Sequence, residues 1–216
     1  SYDGMNWMPL NGGQSYLIPS VGKDKLMRDP SICQAPDGTF HMVWTSSWTD
    51  RIIGHASSRD LIHWSEQQAI PVMMHEPTAH NCWAPELFYD EPSQTYYIFW
   101  ATTIPGRHKE IPTSESEKGL NHRIYYVTTK DFRTFSKTKM FFNPDFSVID
   151  AAIVKDPKLG DLIMIVKNEN SNPPEKNLRV TRTKKIEKGF PTKVSAPITG
   201  KYWAEGPAPL FVGDTL

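Results

Sequence analysis

Three acidic residues, Asp29, Asp150 and Glu205, each stand near the beginning of a short apolar segment. Carboxyl groups that converge in a folded protein can cleave a glycosidic bond, because one protonates the leaving oxygen while another, ionised, activates water or attacks carbon. A third carboxylate nearby raises the pKa of the acid through repulsion between like charges. Taken singly, each acid is also consistent with an ion pair or a turn cap. The prediction of a catalytic group therefore depends on the fold bringing the three together.

The segments around these acids belong to a pattern that occurs four times. Each of the first three copies is followed by a turn and then by an apolar strand, so the pattern predicts the start of a β-hairpin. Three copies place a carboxylate at what we take as the matching position, and the second copy has Ala84 there. The copies are residues 27–32 (MRDPSI), 83–88 (WAPELF), 149–154 (IDAAIV) and 204–210 (AEGPAPL).

A second motif consists of a hydroxyl residue, any residue, Asp, three further residues and an aromatic. It occurs at residues 1–7, 58–64 and 129–135. Since Asp side chains favour turns, each copy predicts a strand that ends in an Asp-headed turn, with the aromatic folding back onto its own sheet. The two motifs together define a unit of four antiparallel strands over about 55 to 70 residues, consistent with the 55 residues from Asp150 to Glu205.

Self-similarity at this period, in segments that predict strands, is typical of a β-propeller. In that fold the first strand of each unit lies nearest the central axis, so the three acids would face one another; a β-sandwich with similar hairpins is the alternative. The fourth copy stops after one predicted strand, and the first Asp turn lacks its own blade. We therefore expect residues 1–216 to form one β-propeller catalytic domain with three to four blades, truncated at the C-terminus and at the N-terminus.

Composition excludes several classes of function. The 24 Lys and Arg residues balance 24 Asp and Glu, so no electrostatic field steers nucleic acid or an anionic membrane to the protein. No apolar run approaches the ~18 residues that span a bilayer. His75 and His80 are five residues apart with Pro77 between them, which does not fit a zinc-binding helix. Cys33 and Cys82 fall out of step on neighbouring predicted strands, so we expect both to be reduced.

Further side chains are candidates for sugar binding. Trp83 and Trp48 lie near first strands or strand ends and could stack on a sugar ring, although core packing is the slightly more common role for each taken alone. Arg28 is the one cation in the first strands. Lys167 and Glu169, at the end of the third hairpin, are weaker candidates to contact sugar hydroxyls, with a surface ion pair as the alternative. Residues 108–121 predict a long polar loop, and residues 176–193 a solvated outer strand.

The four opening segments, taken together and in this order, resemble the signatures of glycoside hydrolase family 43, and the resemblance covers essentially the whole chain. It implies a five-bladed β-propeller and hydrolysis with inversion at the anomeric carbon. By the resemblance Asp29 is the general base that activates water, Asp150 orients the acid and tunes its pKa, and Glu205 is the general acid. An inverting pair is expected to have its carboxyl groups about 6.5–9.5 Å apart.

The resemblance implies an exo-acting glycosidase on α-L-arabinofuranosyl or β-D-xylosyl linkages of plant cell-wall glycans, with a pentose against Trp83 and Trp48. No cofactor is required, although family members often carry a calcium or sodium ion in the channel; no ligand for it can be named from this sequence. A secreted or periplasmic location is favoured. The alternatives are a non-catalytic carbohydrate-binding propeller, or a related propeller glycosidase or phosphorylase with another sugar specificity.

Overall fold

A computed structural model of the protein describes residues 2–111, 119–170, 173–213 and 215–216. Over these residues the chain forms eleven β-strands and only single turns of 3-10 helix. The strands are β1 (Arg28–Gln34), β2 (Phe40–Thr45), β3 (Ile53–Ser58), β4 (Gln68–Ile70), β5 (Trp83–Asp90), β6 (Thr95–Thr103), β7 (His122–Thr129), β8 (Lys139–Phe142), β9 (Val148–Lys155), β10 (Leu162–Asn168) and β11 (Asn177–Thr183).

The strands form three antiparallel sheets in which sequence neighbours pair. Their orders are β1-β2-β3-β4, β5-β6-β7-β8 and β9-β10-β11. β1 packs beside β5, and β5 beside β9, so the first strands of the three sheets lie next to one another. The sheets are therefore three blades of the predicted five-bladed propeller, and the alternative of a β-sandwich is wrong.

The core lies between the blades. One apolar cluster, with Val43 and Trp100, fills the space between the first two sheets, and a second, with Phe99 and Met164, fills the space between the second and third. Successive residues of a strand point to opposite faces, so Trp100 and Phe99 of β6 enter different clusters. Because both faces of β6 are covered, its sequence is a continuous apolar run and does not alternate.

The first strand of each blade contains the same backbone irregularity. Asp29, Ala84 and Asp150 have φ values of 50°, 45° and 51°, in the left-handed region that residues other than glycine seldom adopt. The pairing of β1 with β2 and of β5 with β6 shifts register at this point, as in a β-bulge. Bulges redirect side chains, and here they place equivalent residues of three blades at the same end of adjoining strands.

The fourth copy of the opening pattern departs from the prediction in two ways. Its left-handed residue is Gly206 (φ 57°), so Glu205 corresponds to Arg28 and Trp83 and does not occupy the position of Asp29. Residues 204–210 also form no strand, and only an isolated bridge between Val212 and Thr215 follows. A strand is stable when a second strand pairs with it, and no described residue takes that place here.

The Asp-headed turns are confirmed. Each Asp carboxylate accepts hydrogen bonds from the backbone N–H groups two and three residues later, at Asp3, Asp60 and Asp131. Trp64 packs onto the first sheet, and Phe135 onto the cluster between the first two sheets, as expected. Trp7 is 77% exposed, because no described strand precedes it to provide a sheet.

Three smaller predictions have mixed outcomes. Cys33 and Cys82 are free, as expected. The predicted outer strand over 176–193 is confined to β11, whose outer edge is hydrogen-bonded by the irregular residues 195 and 198. The predicted loop does join β6 to β7, but residues 112–118 of it lie outside the described residues.

In the part of the chain that the structure describes, no helix is long and apolar enough to cross a membrane.

Gly54 in β3 lies against the indole ring of Trp44, which is completely buried. A Cβ added at residue 54 would lie 2.0 Å from Trp44 Cε2. We expect Gly54→Ala to lower the free energy of unfolding by about 1–3 kcal/mol or more, because the ring has no free space to enter. Urea unfolding of the full-length protein measures this. Gly200→Ala is the control, since there the added Cβ meets only the exposed ring of Tyr202; equal losses in both variants would contradict the prediction.

Candidate active site

The three predicted acids come together at the meeting point of the blades. The charges of Asp29 and Glu205 are both close enough to raise the pKa of Asp150. Burial is the main cause of the shift, which takes the pKa of Asp150 to about 6, and the Gly206 N–H and Lys167 oppose it. The Gly206 N–H donates to Asp150 Oδ2 at 3.1 Å. Carboxylates from the first blade, the third blade and the fourth copy therefore form one electrostatic group.

Asp29 is exposed at the bulge of β1 and is held by the next strand. The Thr45 hydroxyl donates to Asp29 Oδ2 at 2.8 Å, and Thr45 Oγ1 accepts a hydrogen bond from the Ala84 N–H at 2.8 Å. A single buried hydroxyl thus links the bulges of the first and second blades. An exposed carboxylate oriented in this way is suited to accept a proton from water.

Glu205 has a different environment. Its side chain is 72% exposed, and its Oε2 accepts a hydrogen bond from Lys167 Nζ at 2.7 Å. That bond and the charge of Lys167, helped by Arg28 and Lys176, lower the pKa of Glu205. The expectation that the general acid is the residue with the raised pKa is not met, because the raised value belongs to Asp150. The pKa of Glu205 is low because the ammonium group of Lys167 donates a hydrogen bond to its carboxylate.

An aromatic wall adjoins the acids. Trp83 Nε1 donates to the Trp48 carbonyl at 2.9 Å, and the two rings lie edge to face with centroids 6.1 Å apart. The guanidinium of Arg28 stacks over the Trp48 ring at 4.3 Å. Trp48 is 48% exposed, so it is not a core residue. The predicted sugar-binding side chains Trp83, Trp48 and Arg28 therefore form one surface that borders Glu205.

The weaker candidates Lys167 and Glu169 are buried. Their side chains are 6% and 7% exposed, and Lys167 Nζ lies 2.8 Å from Glu169 Oε2. The other carboxylate oxygen of Glu169 is paired with Lys176, which is equally buried. The alternative of a surface ion pair is therefore wrong. A direct contact of Glu169 with a sugar stays a prediction, and the pairing of both carboxylate oxygens with buried lysines does not favour it.

His122, which the sequence analysis missed, lies beneath Trp83 with ring centroids 5.0 Å apart. The residue is fully buried, and burial, together with the charges of His80, Arg123 and both lysines, lowers its pKa to about 3, so it is neutral. Among the described residues neither of its ring nitrogens has a hydrogen-bond partner, and the same holds for Asn81 Nδ2 and Thr103 Oγ1. Buried polar groups of this kind are commonly satisfied by internal water.

Two other residues that the sequence analysis missed, Thr45 and Lys176, illustrate which signals were available. Thr45 pairs with Arg28 across the first hairpin, and Lys167 pairs with Ile149 across the third. Counting the register outward from each turn would have placed Thr45 and Lys167, polar residues near the ends of the second strands, opposite the residues that precede Asp29 and Asp150. Lys176 has no such local signal. It pairs with Glu169 across the connection between β10 and β11, whose conformation cannot be predicted from the sequence alone.

No group of three His, Cys, Asp or Glu side chains within residues 2–111, 119–170, 173–213 and 215–216 converges to hold a metal ion. The calcium or sodium ion that the family resemblance implies stays a prediction.

Glu86, on β5, is half-buried, and burial raises the pKa of its carboxyl from 4.5 to about 7, against a hydrogen bond with Ser31. The folded state thus holds the proton more tightly, and stability falls as pH rises from 4.5 to 7. We expect Glu86→Gln to raise the free energy of unfolding by about 1–3 kcal/mol at pH 8 and to leave it unchanged at pH 4. Thermal unfolding at both pH values measures this.

Glu91→Gln is the control for Glu86→Gln, since the Glu91 side chain is 77% exposed at the turn of the same hairpin. It should change stability little at either pH. A gain from Glu86→Gln of the same size at pH 4 and pH 8 would contradict an ionisation cost at Glu86.

Comparison with known proteins relates the chain to glycoside hydrolases. Residues 1–208 match a protein family related to glycoside hydrolase family 43 and described as "Probable glycosyl hydrolase domain". An α-L-arabinofuranosidase of Bifidobacterium longum subsp. longum is 23% identical, with 67% of this chain aligned. Among solved structures, a thermostable family-43 glycoside hydrolase is similar over 79% of this chain (TM-score 0.55, 14% identity). An exo-β-1,3-galactanase from Phanerochaete chrysosporium with galactose is similar over 80% (TM-score 0.54, 15% identity).

This chain spans 15% of the length of that arabinofuranosidase, 51% of the family-43 hydrolase and 38% of the galactanase. The structural similarities, all at low identity, establish the fold. The family match extends over nearly the whole sequence and includes the first three opening segments and residues 204–208 of the fourth. The chain belongs to the family of probable glycosyl hydrolase domains related to glycoside hydrolase family 43.

Proposed function

We propose that this domain is an exo-acting, inverting glycosidase that releases α-L-arabinofuranosyl or β-D-xylosyl residues from plant cell-wall glycans. The observation that carries the proposal is the convergence of Asp29, Asp150 and Glu205, from separate parts of the chain, beside the exposed Trp48. Carboxylates grouped against an aromatic surface suit a pentose ring, because the ring stacks while two acids act on opposite sides of its linkage.

In this proposal Glu205 gives its proton to the leaving oxygen as the bond between that oxygen and the anomeric carbon breaks. Asp29 removes a proton from the attacking water, whose oxygen bonds to the same carbon from the opposite face. Asp150 accepts a hydrogen bond from the Gly206 N–H and so fixes the backbone directly after Glu205. The raised pKa of Asp150 keeps its carboxyl partly neutral near pH 6, which limits repulsion within the group.

Arabinose is the preferred sugar because a curated relative is named an α-L-arabinofuranosidase. Galactose is the second candidate, supported by the similar galactanase structure. A phosphorylase needs free cations for phosphate, whereas Arg28 is stacked on Trp48 and Lys167 is paired with Glu205 and Glu169. A non-catalytic binding protein would not need three clustered acids.

The test is hydrolysis by the full-length protein of p-nitrophenyl α-L-arabinofuranoside, β-D-xyloside and β-D-galactoside, with the first product followed by proton NMR. We expect turnover of the arabinoside or the xyloside, with the product released in the opposite anomeric form. Turnover of the galactoside alone would select the second candidate. Retention of configuration would contradict the roles of Asp29 and Glu205, and sugar binding without turnover would select the binding protein.

A further inference from the structure

We propose that Lys167 is a positioning residue for Glu205, supported by a buried ion-pair network that consists of Lys167, Glu169 and Lys176. The proposal rests on the function proposed above, since it assigns to Lys167 the task of holding the general acid. It also replaces the sugar contact that the sequence suggested for Lys167 and Glu169.

The network leads from the interior to the exposed acid. Lys176 is paired with Glu169, Glu169 Oε2 lies 2.8 Å from Lys167 Nζ, and Lys167 Nζ lies 2.7 Å from Glu205 Oε2. The three network side chains are 5–7% exposed, whereas Glu205 is 72% exposed. A rigid interior group thus contacts a carboxylate that solvent alone would leave free to rotate.

Charge balance explains why Lys167 must face Glu205. The network contains two lysines and one glutamate and so carries one unit of positive charge in a site with little water. A buried ion without an opposite charge is strongly unfavourable, because it has lost its hydration and gained no partner. Burial by itself would lower the pKa of Lys167, but Glu169, Glu205 and Asp150 outweigh it and raise that pKa. The unbalanced positive charge of the network is therefore neutralised by the carboxylates Glu205 and Asp150 of the candidate active site.

Glu205 depends on this contact because its segment has no strand to hold it. Three described contacts attach residues 204–206 to the third blade. The Ala204 N–H donates to the Lys176 carbonyl at 2.9 Å, the Gly206 N–H donates to Asp150 Oδ2, and Glu205 pairs with Lys167. Two of the three involve members of the network. Elsewhere a ladder of backbone hydrogen bonds fixes such a residue, and here side-chain charges take that role.

The experiment compares Lys167→Met with the wild type in the full-length protein, using two arabinosides that differ in their leaving group. One is methyl α-L-arabinofuranoside, whose departure needs a proton, and the other is the 2,4-dinitrophenyl arabinoside, whose departure does not. General acid catalysis contributes about 10²–10⁴-fold, so misplacing the acid should lower kcat on the methyl glycoside about 10–100-fold. On the dinitrophenyl glycoside kcat should change less than about threefold, because that leaving group departs without help from the general acid. KM should change little on either substrate.

The pH profile gives a second readout. Lys167 lowers the pKa of Glu205, and the charges of Arg28 and Lys176 act in the same direction. At Asp150 the pKa is raised, with Asp29 contributing to the increase and Lys167 opposing it. Removing the ammonium should therefore raise the pKa of Glu205. The acid must be protonated to act, so the alkaline limb of kcat/KM should move to higher pH in Lys167→Met. Lys167→Arg, which keeps the charge, should restore most of the rate on the methyl glycoside.

Lys185→Met is the matched control, since Lys185 is 68% exposed and pairs with Glu187 at 4.0 Å on the surface; it should behave as wild type. If Lys167→Met does not fold, Glu169→Gln should give the same dependence on the leaving group, because it removes the charge that anchors Lys167. Equal losses on both substrates, or a rise in KM alone, would overturn the proposal in favour of a sugar contact. Wild-type inactivity on every glycoside would overturn the proposed function as well, whereas an active wild type with an unchanged variant overturns this inference only.

Discussion

Replacing Glu205 by glutamine is expected to lower kcat/KM on methyl α-L-arabinofuranoside by about 10²–10⁴-fold. Glutamine keeps the size of the side chain, and its carbonyl can still accept the hydrogen bond from Lys167, so the fold around residues 204–206 should persist. Only the proton donor is lost. Activity on the 2,4-dinitrophenyl arabinoside should therefore stay within about tenfold of wild type, because that leaving group departs as a stable anion.

Glu187→Gln is the control for this experiment, because Glu187 belongs to a surface pair and its side chain is 54% exposed. It should not affect either substrate. A uniform loss on both substrates in Glu205→Gln would argue against the acid role and favour Glu205 as a group that binds the sugar. No loss on either substrate would remove Glu205 from the mechanism and direct attention to Asp150, whose pKa is raised to about 6.

Asp29→Asn is expected to lower kcat by about 10²–10⁴-fold on both substrates. The base activates water regardless of how the leaving group departs, so an activated leaving group should not rescue the variant. Asparagine is the right replacement because residue 29 has φ 50°, a conformation that Asn adopts more readily than most residues. The hydrogen bond from the Thr45 hydroxyl can also be kept by the amide oxygen.

Asp145→Asn serves as the control for Asp29→Asn, since Asp145 is exposed and lies in the connection between β8 and β9. Circular dichroism should show that both variants are folded. Recovery of Asp29→Asn on the dinitrophenyl substrate would contradict the base role. The opposite patterns expected for Asp29 and Glu205 together distinguish an acid–base pair from two residues that merely bind the sugar.

Much of the fold was predictable from the sequence because its signals are local. The first three opening segments, the turns after them and the apolar runs such as 96–100 determined that the chain forms three hairpins of similar design. The Asp-headed turns were also local, since each carboxylate binds backbone groups two and three residues away. The repetition then predicted blades around one axis, and with it the meeting of Asp29, Asp150 and Glu205.

Only the tertiary structure decided how those acids are held and charged. Glu205 lies one residue from the position that the pattern assigned to it, and its segment is not a strand, because no described neighbour pairs with it. The burial of Lys167 and its contact with Glu205 depend on residues 38 positions apart. Burial and nearby charges, which set pKa values, are properties of the packed blades. For that reason the sequence determined which acids meet, and the packing determined that Asp150, and not Glu205, has the raised pKa.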